Sequence, residues 1–321
     1  MKAIRVHKFG SSEVMKLEDI PELTPGTNQL KIEVKAIGVN PVDTYIRAGI
    51  YPIKPVLPYT PGKDAAGIIT EIGSEVKHNK IGDRVYVCGN QSGSYAQQLI
   101  CDADQAYSLP DKIDFSAGAA LGVPYSTAFY ALNYRAHAIP GETLLVHGAS
   151  GSVGIAAIQI ARANGLRVIG TAGTEEGLKL IRKQGAVAAL NHNTENYLDA
   201  IDDLTCGQGL DVILEMLANV NLDKDLKLLA KFGRVVVIGN RGRIEIDPRD
   251  TMGKNASILG MSLFSADVKE LTQIHSAIKA GLIDGRYKPI IHSQMALSEA
   301  GASHDLVMLN GVNGKIILIP S

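Results

Sequence analysis

The stretch LLVHGASGSVGIAAIQIAR, Leu144 to Arg162, reads as a buried strand, a glycine-rich turn and an apolar helix. Gly148, Gly151 and Gly154 recur at a period of three, which is not a strict G-x-G-x-x-G. The physics of that motif still applies. Without a Cβ at Gly151 and Gly154, backbone N–H groups can approach a phosphate and the helix can pack close to the strand. A helix beginning near Ser152 aims its dipole and its unpaired N–H groups at an anion. Ser150 and Ser152 add hydroxyl donors. Glycine triplets also occur at tight turns that bind nothing; here the flanking strand and helix supply the context a dinucleotide cradle requires.

From Glu142 onward, strand-like runs (TLLVH, LRVIGTA, VAALNH, DVILEML, RVVVIG, SILGMSL) alternate with helical stretches such as TEEGLKLIRKQG and NLDKDLKLLAKFG. That alternation predicts parallel strands with crossover helices, a doubly wound α/β fold. The first third differs. Short β-type runs (AIRVH, QLKIEVKAIGVN, AAGIITEIG, GDRVYVCG, SYAQQLIC) separated by Gly, Pro and Asp predict a compact, mostly β domain. Near residue 115 the chain turns Ala-rich, and AGAALGVPYSTAFYAL from Ala117 predicts a buried helical element. After Leu263 come one more amphipathic helix, DVKELTQIHSAIKAG, and a last strand, GKIILIP.

Length and composition agree. A chain of 321 residues, 45% apolar, has material for about two domains. Lys plus Arg (32) nearly cancels Asp plus Glu (33), so no global field draws the protein to polyanions or membranes. Three scattered cysteines, Cys88, Cys101 and Cys206, make no disulfide framework and fit a reducing compartment. No signal-peptide core opens the sequence and no window offers about 18 uninterrupted apolar residues, so a cytoplasmic protein without a membrane partner is expected.

The choice between NAD and NADP rests on the second strand of the βαβ unit. An NAD site places an Asp or Glu about 20 residues after the glycines to hold the ribose 2′-hydroxyl. VIGTAGTEEG has Gly170, Thr171, Ala172 and Gly173 there instead. Glu175 and Glu176 fall later, in the predicted first helical turn, and Lys179, Arg182 and Lys183 follow where a 2′-phosphate could meet them. The missing acid favours NADPH.

These residues carry a resemblance. The chain resembles the zinc-independent quinone oxidoreductases of the medium-chain dehydrogenase/reductase superfamily, most of all those of ζ-crystallin type. The resemblance is carried by GETLLVHGASGSVGIAAIQIAR (Gly141 to Arg162), GVNPVDTYIRAG (Gly38 to Gly49) and LPYTPGKDAAG (Leu57 to Gly67). Further matches are GTAGTEEG (Gly170 to Gly177), EMLANVNLDKDL (Glu215 to Leu226) and RGRIEIDPRDTM (Arg241 to Met252). Ser152 departs from the pattern, where a glycine is usual. The resemblance implies a GroES-like β domain over residues 1–121, a Rossmann NADP-binding domain over 122–265, and a return to the first domain over 266–321. It assigns Tyr45 to the nicotinamide, Ser150, Gly151, Ser152 and Val153 to the pyrophosphate, Gly173 to the 2′-phosphate region and His192 to the adenosine side. By the same resemblance, Asn221 with Ile238, Gly239, Asn240 and Arg241 is expected to complete the cofactor cleft.

Zinc enzymes of the superfamily need a Cys and a His-Glu pair in the β domain, and a four-cysteine lobe. Here those positions hold Asn40, Lys63 and Asp64, and C-x-x-C pairs are missing, so no zinc is expected. His7, His78, His137 and His147 read as structural or surface residues. Without a metal to acidify an alcohol, reduction of an electrophilic, conjugated acceptor is the easier chemistry. A quinone needs stacking and hydrogen bonds to its oxygens, which Tyr45 and Asn40, then Tyr51 and Tyr59, can supply; Lys63 and Asp43 stay open. The resemblance implies ortho-quinone substrates and leaves both one-electron transfer, giving a semiquinone, and hydride transfer open. Competing readings are reduction of an enal or enone double bond, and a non-catalytic role as a lens structural protein or RNA binder. A homodimer or homotetramer is also implied, joined through SILGMSL (Ser257 to Leu263) as an edge strand.

Overall fold

The computed structural model describes residues 1–320. Two compact units are present: Met1–Val123 with the chain from His275 onward, and Pro124–Ile274.

In the first unit, β1 (Lys2–Val6) and β2 (Met15–Asp19) form an antiparallel pair. A larger sheet is built on β3 (Gln29–Gly38), which α1 (Pro41–Ala48) follows. β3 pairs antiparallel with both β4 (Asp64–Ile72) and β6 (Gln98–Asp102), and β5 (Arg84–Cys88) joins β4 to β7 (Ala106–Ser108). Leu30, Ile32, Val34 and Ile37 of β3 pack with Ile69, Val85, Val87 and Leu99 in one core. Asp114 then caps α2 (Phe115–Ala119), its Oδ1 accepting the Ala117 N–H at 2.7 Å. α3 (Gly122–Phe129) runs on into a π-helical turn over Tyr130–Arg135, the buried helical element expected from Ala117.

The second unit follows the predicted alternation: β8 (Thr143–Val146), α4 (Ser152–Ala163), β9 (Arg167–Ala172), α5 (Glu175–Gln184) and β10 (Ala188–Asn191). Next come α6 (Asp199–Thr205), β11 (Leu210–Glu215), α7 (Ala218–Leu228), β12 (Leu229–Val237), α8 (Arg249–Met252) and β13 (Ser257–Gly260). The strands are all parallel, in the order β10-β9-β8-β11-β12-β13. This is the doubly wound order of a Rossmann sheet, with its switch point between β8 and β11. Leu144, Leu145 and Val146 of β8 and Ile213 and Leu214 of β11 are fully buried, as apolar runs covered on both faces must be. β13 is an edge strand, with Ser257 and Ile258 exposed.

One element differs from expectation. The spacing of Leu222, Leu226 and Leu229 predicts a helix through to Gly233, yet α7 stops at Leu228 and β12 begins with Leu229. Leu229 is buried by pairing with Leu210 of β11. The chain then bulges, with Phe232 exposed at φ 65°, before the ladder resumes at Arg234 opposite Val212. Sheet pairing overrides the helical spacing there.

The C-terminal part consists of α9 (Val268–Ile283), β14 (Ile291–Ala296), α10 (Ala300–Leu306) and β15 (Lys315–Ile319). β15 pairs parallel with β14 and antiparallel with β3, so the chain end completes the sheet of the first unit. Among the described residues, no helix is long and apolar enough to cross a membrane.

A buried ion pair fastens that strand. Lys315 Nζ lies 3.0 Å from Asp64 Oδ2 and donates to Asn40 Oδ1 at 2.5 Å, with the side chains of Lys315 and Asp64 1% and 0% exposed. Removing one partner of such a pair costs about 3–5 kcal/mol, because the other charge is left uncompensated in a dry site. Lys315→Ala is therefore expected to lower the unfolding free energy in urea by that order. A loss under about 1 kcal/mol would contradict the role given to the pair.

Candidate active site

The turn after β8 is tied to the neighbouring strand before it opens toward solvent. Ala149 N–H donates to the Thr171 carbonyl at 2.8 Å, and Gly148 N–H to Thr171 Oγ1 at 3.2 Å. Gly151 is the N-cap of α4, so no side chain caps the first turn of the helix. The first-turn N–H groups of a helix have no intrahelical partner, and here Ser152, Val153 and Gly154 hold those positions. Gly154 meets a different demand: a Cβ there would lie 2.5 Å from Ala149 Cα. Only glycine lets α4 come this close to the turn. A Cβ on Gly151 would meet nothing nearer than 3.4 Å, so that side of the turn has room. Free donors, a positive helix end and an open face are what a pyrophosphate requires.

The end of β9 carries no acid. Ala172 closes the strand, Gly173 follows, and Thr174 caps α5 by accepting the Gly177 N–H at 3.1 Å. A Cβ on Gly173 would stand 2.7 Å from His192 Nε2 and 3.0 Å from Asn193 Nδ2, so the structure brings Gly173 and His192 together. His192 N–H donates to the Ala172 carbonyl, and its Nδ1 lies 3.4 Å from Thr171 Oγ1. Lys179 is exposed in the second turn of α5, and Arg182 of that helix donates to the Ala189 carbonyl at 3.2 Å. With the first acids, Glu175 and Glu176, set back into the first turn of α5, the strand end itself presents neutral groups, which suit a ribose 2′-phosphate better than a carboxylate would.

The third group follows β11 and β12. Ile238 and Gly239 donate their N–H groups to the Glu215 carbonyl at 2.9 and 3.1 Å, and Ala218 donates to the Gly239 carbonyl at 3.0 Å. Arg241 N–H donates to Asn219 Oδ1 at 2.9 Å, and Asn240 Nδ2 to the Gly242 carbonyl at 2.8 Å. Asn221 Nδ2 donates to Glu215 Oε1 at 3.3 Å. Ser150 to Gly154, Gly173, His192, Asn221 and Ile238 to Arg241 thus all follow carboxyl ends of parallel strands, the edge where open α/β sheets take ligands.

In the first unit, Asn40 precedes α1 and its N–H donates to Asp43 Oδ2 at 3.0 Å. The α1 helix ends at Gly49 in the left-handed region (φ 76°), and the Tyr45 carbonyl then accepts N–H groups from Ile50 and Tyr51. Tyr45 and Tyr51, both half-buried, are brought together by that turn. Two other residues depart from expectation. Asn40 is 2% exposed and both ends of its amide are taken, Oδ1 by Lys315 and Nδ2 by Asp64 Oδ2 at 2.9 Å. Tyr59 is paired through its backbone with Val6, and its hydroxyl is buried without a partner. Burial pushes the Tyr59 hydroxyl well above the usual phenol range and Asp43 up to about 7. Lys315, 251 positions from Asp64, is a buried partner of both Asp64 and Asn40 that the sequence reading missed.

It also missed a buried group in the second unit. His147, read as structural or surface, directly precedes the glycine turn and hydrogen-bonds Asp225 Oδ1 at 2.8 Å, with Glu215 Oε2 at 3.5 Å. An acid closing an apolar parallel strand, as in DVILE, was the available signal.

Residues 152–277 match the family described as zinc-binding dehydrogenase, and residues 26–111 the alcohol dehydrogenase GroES-like domain. The chain is 51% identical to the quinone oxidoreductase of Rattus norvegicus and 50% identical to that of Homo sapiens, each over 99% of this chain and 98% of the relative. Among solved structures, the Escherichia coli quinone oxidoreductase complexed with NADPH matches with a TM-score of 0.92 and 31% identity over 100% of both chains. Replacing Gly154 by Val should push α4 off Ala149 and abolish dinucleotide binding in a fluorescence titration, with stability lowered by about 1–3 kcal/mol as in other overpacked sites. Unchanged dinucleotide affinity in that variant would contradict the placement.

Proposed function

As the chain belongs to the quinone oxidoreductases of the medium-chain dehydrogenase/reductase superfamily, we propose that it reduces quinones with NADPH. The observation that carries the cofactor choice is the acid-free end of β9, where Gly173 stands over His192 beside an uncapped α4. Ser150, Gly151, Ser152, Val153 and Gly154 hold the pyrophosphate. Gly173, His192 and Lys179 serve the 2′-phosphate and adenosine end, and Asn221 with Ile238, Gly239, Asn240 and Arg241 serves the remainder. Bound there, NADPH supplies the reducing equivalents.

The first unit's part is to hold the acceptor. Tyr45 and Tyr51, carried by one short turn, offer hydroxyls to the acceptor's oxygens, and two donors on one segment suit the adjacent carbonyls of an ortho-quinone. Asn40 is given a different task from the one the sequence suggested: it fixes the Lys315–Asp64 pair and the start of α1, which carries Tyr45. Tyr59, its hydroxyl buried, packs the loop against β1. The same network supports a zinc-independent reaction. Asn40 and Asp64, at positions compared above with zinc ligands, are already satisfied around an ammonium that supplies the local positive charge. The exposed edge of β13 supports assembly into a dimer or tetramer through that strand.

NADPH oxidation measured side by side with ortho-quinones, para-quinones and a 2-alkenal tests this reading. Ortho-quinones should turn over fastest, and a product analysis showing only reduction of the alkenal double bond would overturn it. Gly173→Asp places a carboxylate beside His192 and should shift the NADPH-to-NADH ratio of kcat/KM by about tenfold or more toward NADH, roughly 1.4 kcal/mol. An unshifted ratio would remove the basis for the cofactor choice.

A further inference from the structure

His147, Glu215 and Asp225 form a closed group in the second unit. Their side chains are 4%, 0% and 0% exposed, and one ligand-type atom from each lies within 4.8 Å of the others. His147 stands between β8 and the glycine turn, Glu215 closes β11, and Asp225 comes from α7. Glu215 Oε1 accepts the Leu217 N–H and Asn221 Nδ2. Glu215 Oε2 and Asp225 Oδ2 are buried and accept no hydrogen bond when both groups are carboxylates, Glu215 Oε2 standing 3.5 Å from His147 Nε2. Two acceptor oxygens cannot satisfy each other, and burial without a donor is costly for either. One proton between them changes this, making an acid–carboxylate hydrogen bond.

We propose that His147, Asp225 and Glu215 share a buried proton that is coupled to dinucleotide binding, with Glu215 acting as a positioning residue through Asn221. The inference rests on the NADPH reading above and adds a proton to it.

The surroundings support a proton as the balancing charge. No lysine or arginine pairs with Glu215 or Asp225 among the described residues, and the other ion pair of α7, Asp223 with Lys227, is separate and more exposed. Two further titratable groups face the cluster. The Tyr197 hydroxyl is pushed up to about 12, by burial first and then by Asp225 and Glu215. His192 is pushed down by burial and by His147. Neither adds a positive charge at neutral pH. A structural metal site takes four ligands; three groups are here, and one Glu215 oxygen is already occupied by two N–H donors. Burial raises Glu215 and Asp225 each to about 7 and lowers His147, so protonation of the group changes near neutrality as a coupled set.

The sign follows. With the proton in place, the group, whose His147 directly precedes the glycine turn, carries less negative charge, and the anionic dinucleotide is favoured. As pH rises through about 7 the proton leaves, negative charge grows, and affinity falls. By linkage, binding the anion raises the group's proton affinity, so binding takes up a proton. The 2′-phosphate acts in the opposite direction: held as its dianion it releases protons, and with a pKa near 6 it has little left to release at about pH 7.5.

Calorimetric titration of the full chain with NADPH at about pH 7.5, in buffers of different ionisation enthalpy, reads the net proton change. Net uptake is expected in the native protein, with affinity falling several-fold between about pH 6.5 and pH 8.5. Asp225→Asn keeps an acceptor for His147 and gives Glu215 Oε2 an amide donor, so it should bind NADPH without uptake and with a flattened pH profile. Glu215→Gln should also lose the uptake and weaken NADPH through Asn221. NADPH binding without proton uptake in the native protein overturns the inference whatever the variants do, and so does uptake that persists in Asp225→Asn. No NADPH binding at all would overturn the proposed function and this inference with it, so the two failures are told apart.

Discussion

The approach of α4 to the turn at Ala149 governs the second unit. A side chain on Gly154 would force the two apart, since its Cβ would fall 2.5 Å from the Ala149 Cα. With the glycine in place, the helix start stands directly after β8, held by Ala149 and Gly148 against Thr171 of β9. Parallel strands then bring the ends of β9, β10, β11 and β12 to the same edge of the sheet. Gly173, His192, Asn221 and the 238–241 segment gather there because of strand direction, although 68 residues separate the first from Arg241. Departure of one glycine from the usual pattern, at Ser152, leaves this arrangement intact, since its backbone is an ordinary first helical residue.

The first unit depends on a different constraint. Lys315 enters with the last strand and brings an ammonium to both Asp64 and Asn40 from far along the chain. One residue it holds, Asn40, starts α1, and α1 carries Tyr45, the residue proposed to serve the acceptor. Asn40 and Asp64, at two of the positions where zinc enzymes of the superfamily carry ligands, are in space part of a hydrogen-bonded salt link.

Much of this was legible in the sequence, for identifiable reasons. The strand–helix alternation after Glu142 and the glycine turn at 148–154 announce a doubly wound sheet, because period and turn chemistry are local. The acid-free VIGTAG segment is likewise a local feature. What stayed hidden was non-local. Lys315 and Asp64 meet across 251 positions, and His147, Glu215 and Asp225 come from three separate elements. Asn40 looked like a free polar tip only because its partners lie elsewhere in the chain. The helical spacing of Leu222, Leu226 and Leu229 misled for the same reason: pairing with Leu210 decides Leu229, and a one-dimensional pattern does not show it.

A crystal structure of the protein with NADPH and a quinone analogue tests the central claim most directly, that the carboxyl edge of this sheet holds the cofactor and Tyr45 serves the acceptor. The expected density has the pyrophosphate on the amides of Ser152 and Val153, the 2′-phosphate beside Gly173 and His192, and an oxygen of the quinone analogue on the Tyr45 hydroxyl. A dinucleotide bound away from the 148–154 turn, or a 2′-phosphate remote from Gly173, would contradict it.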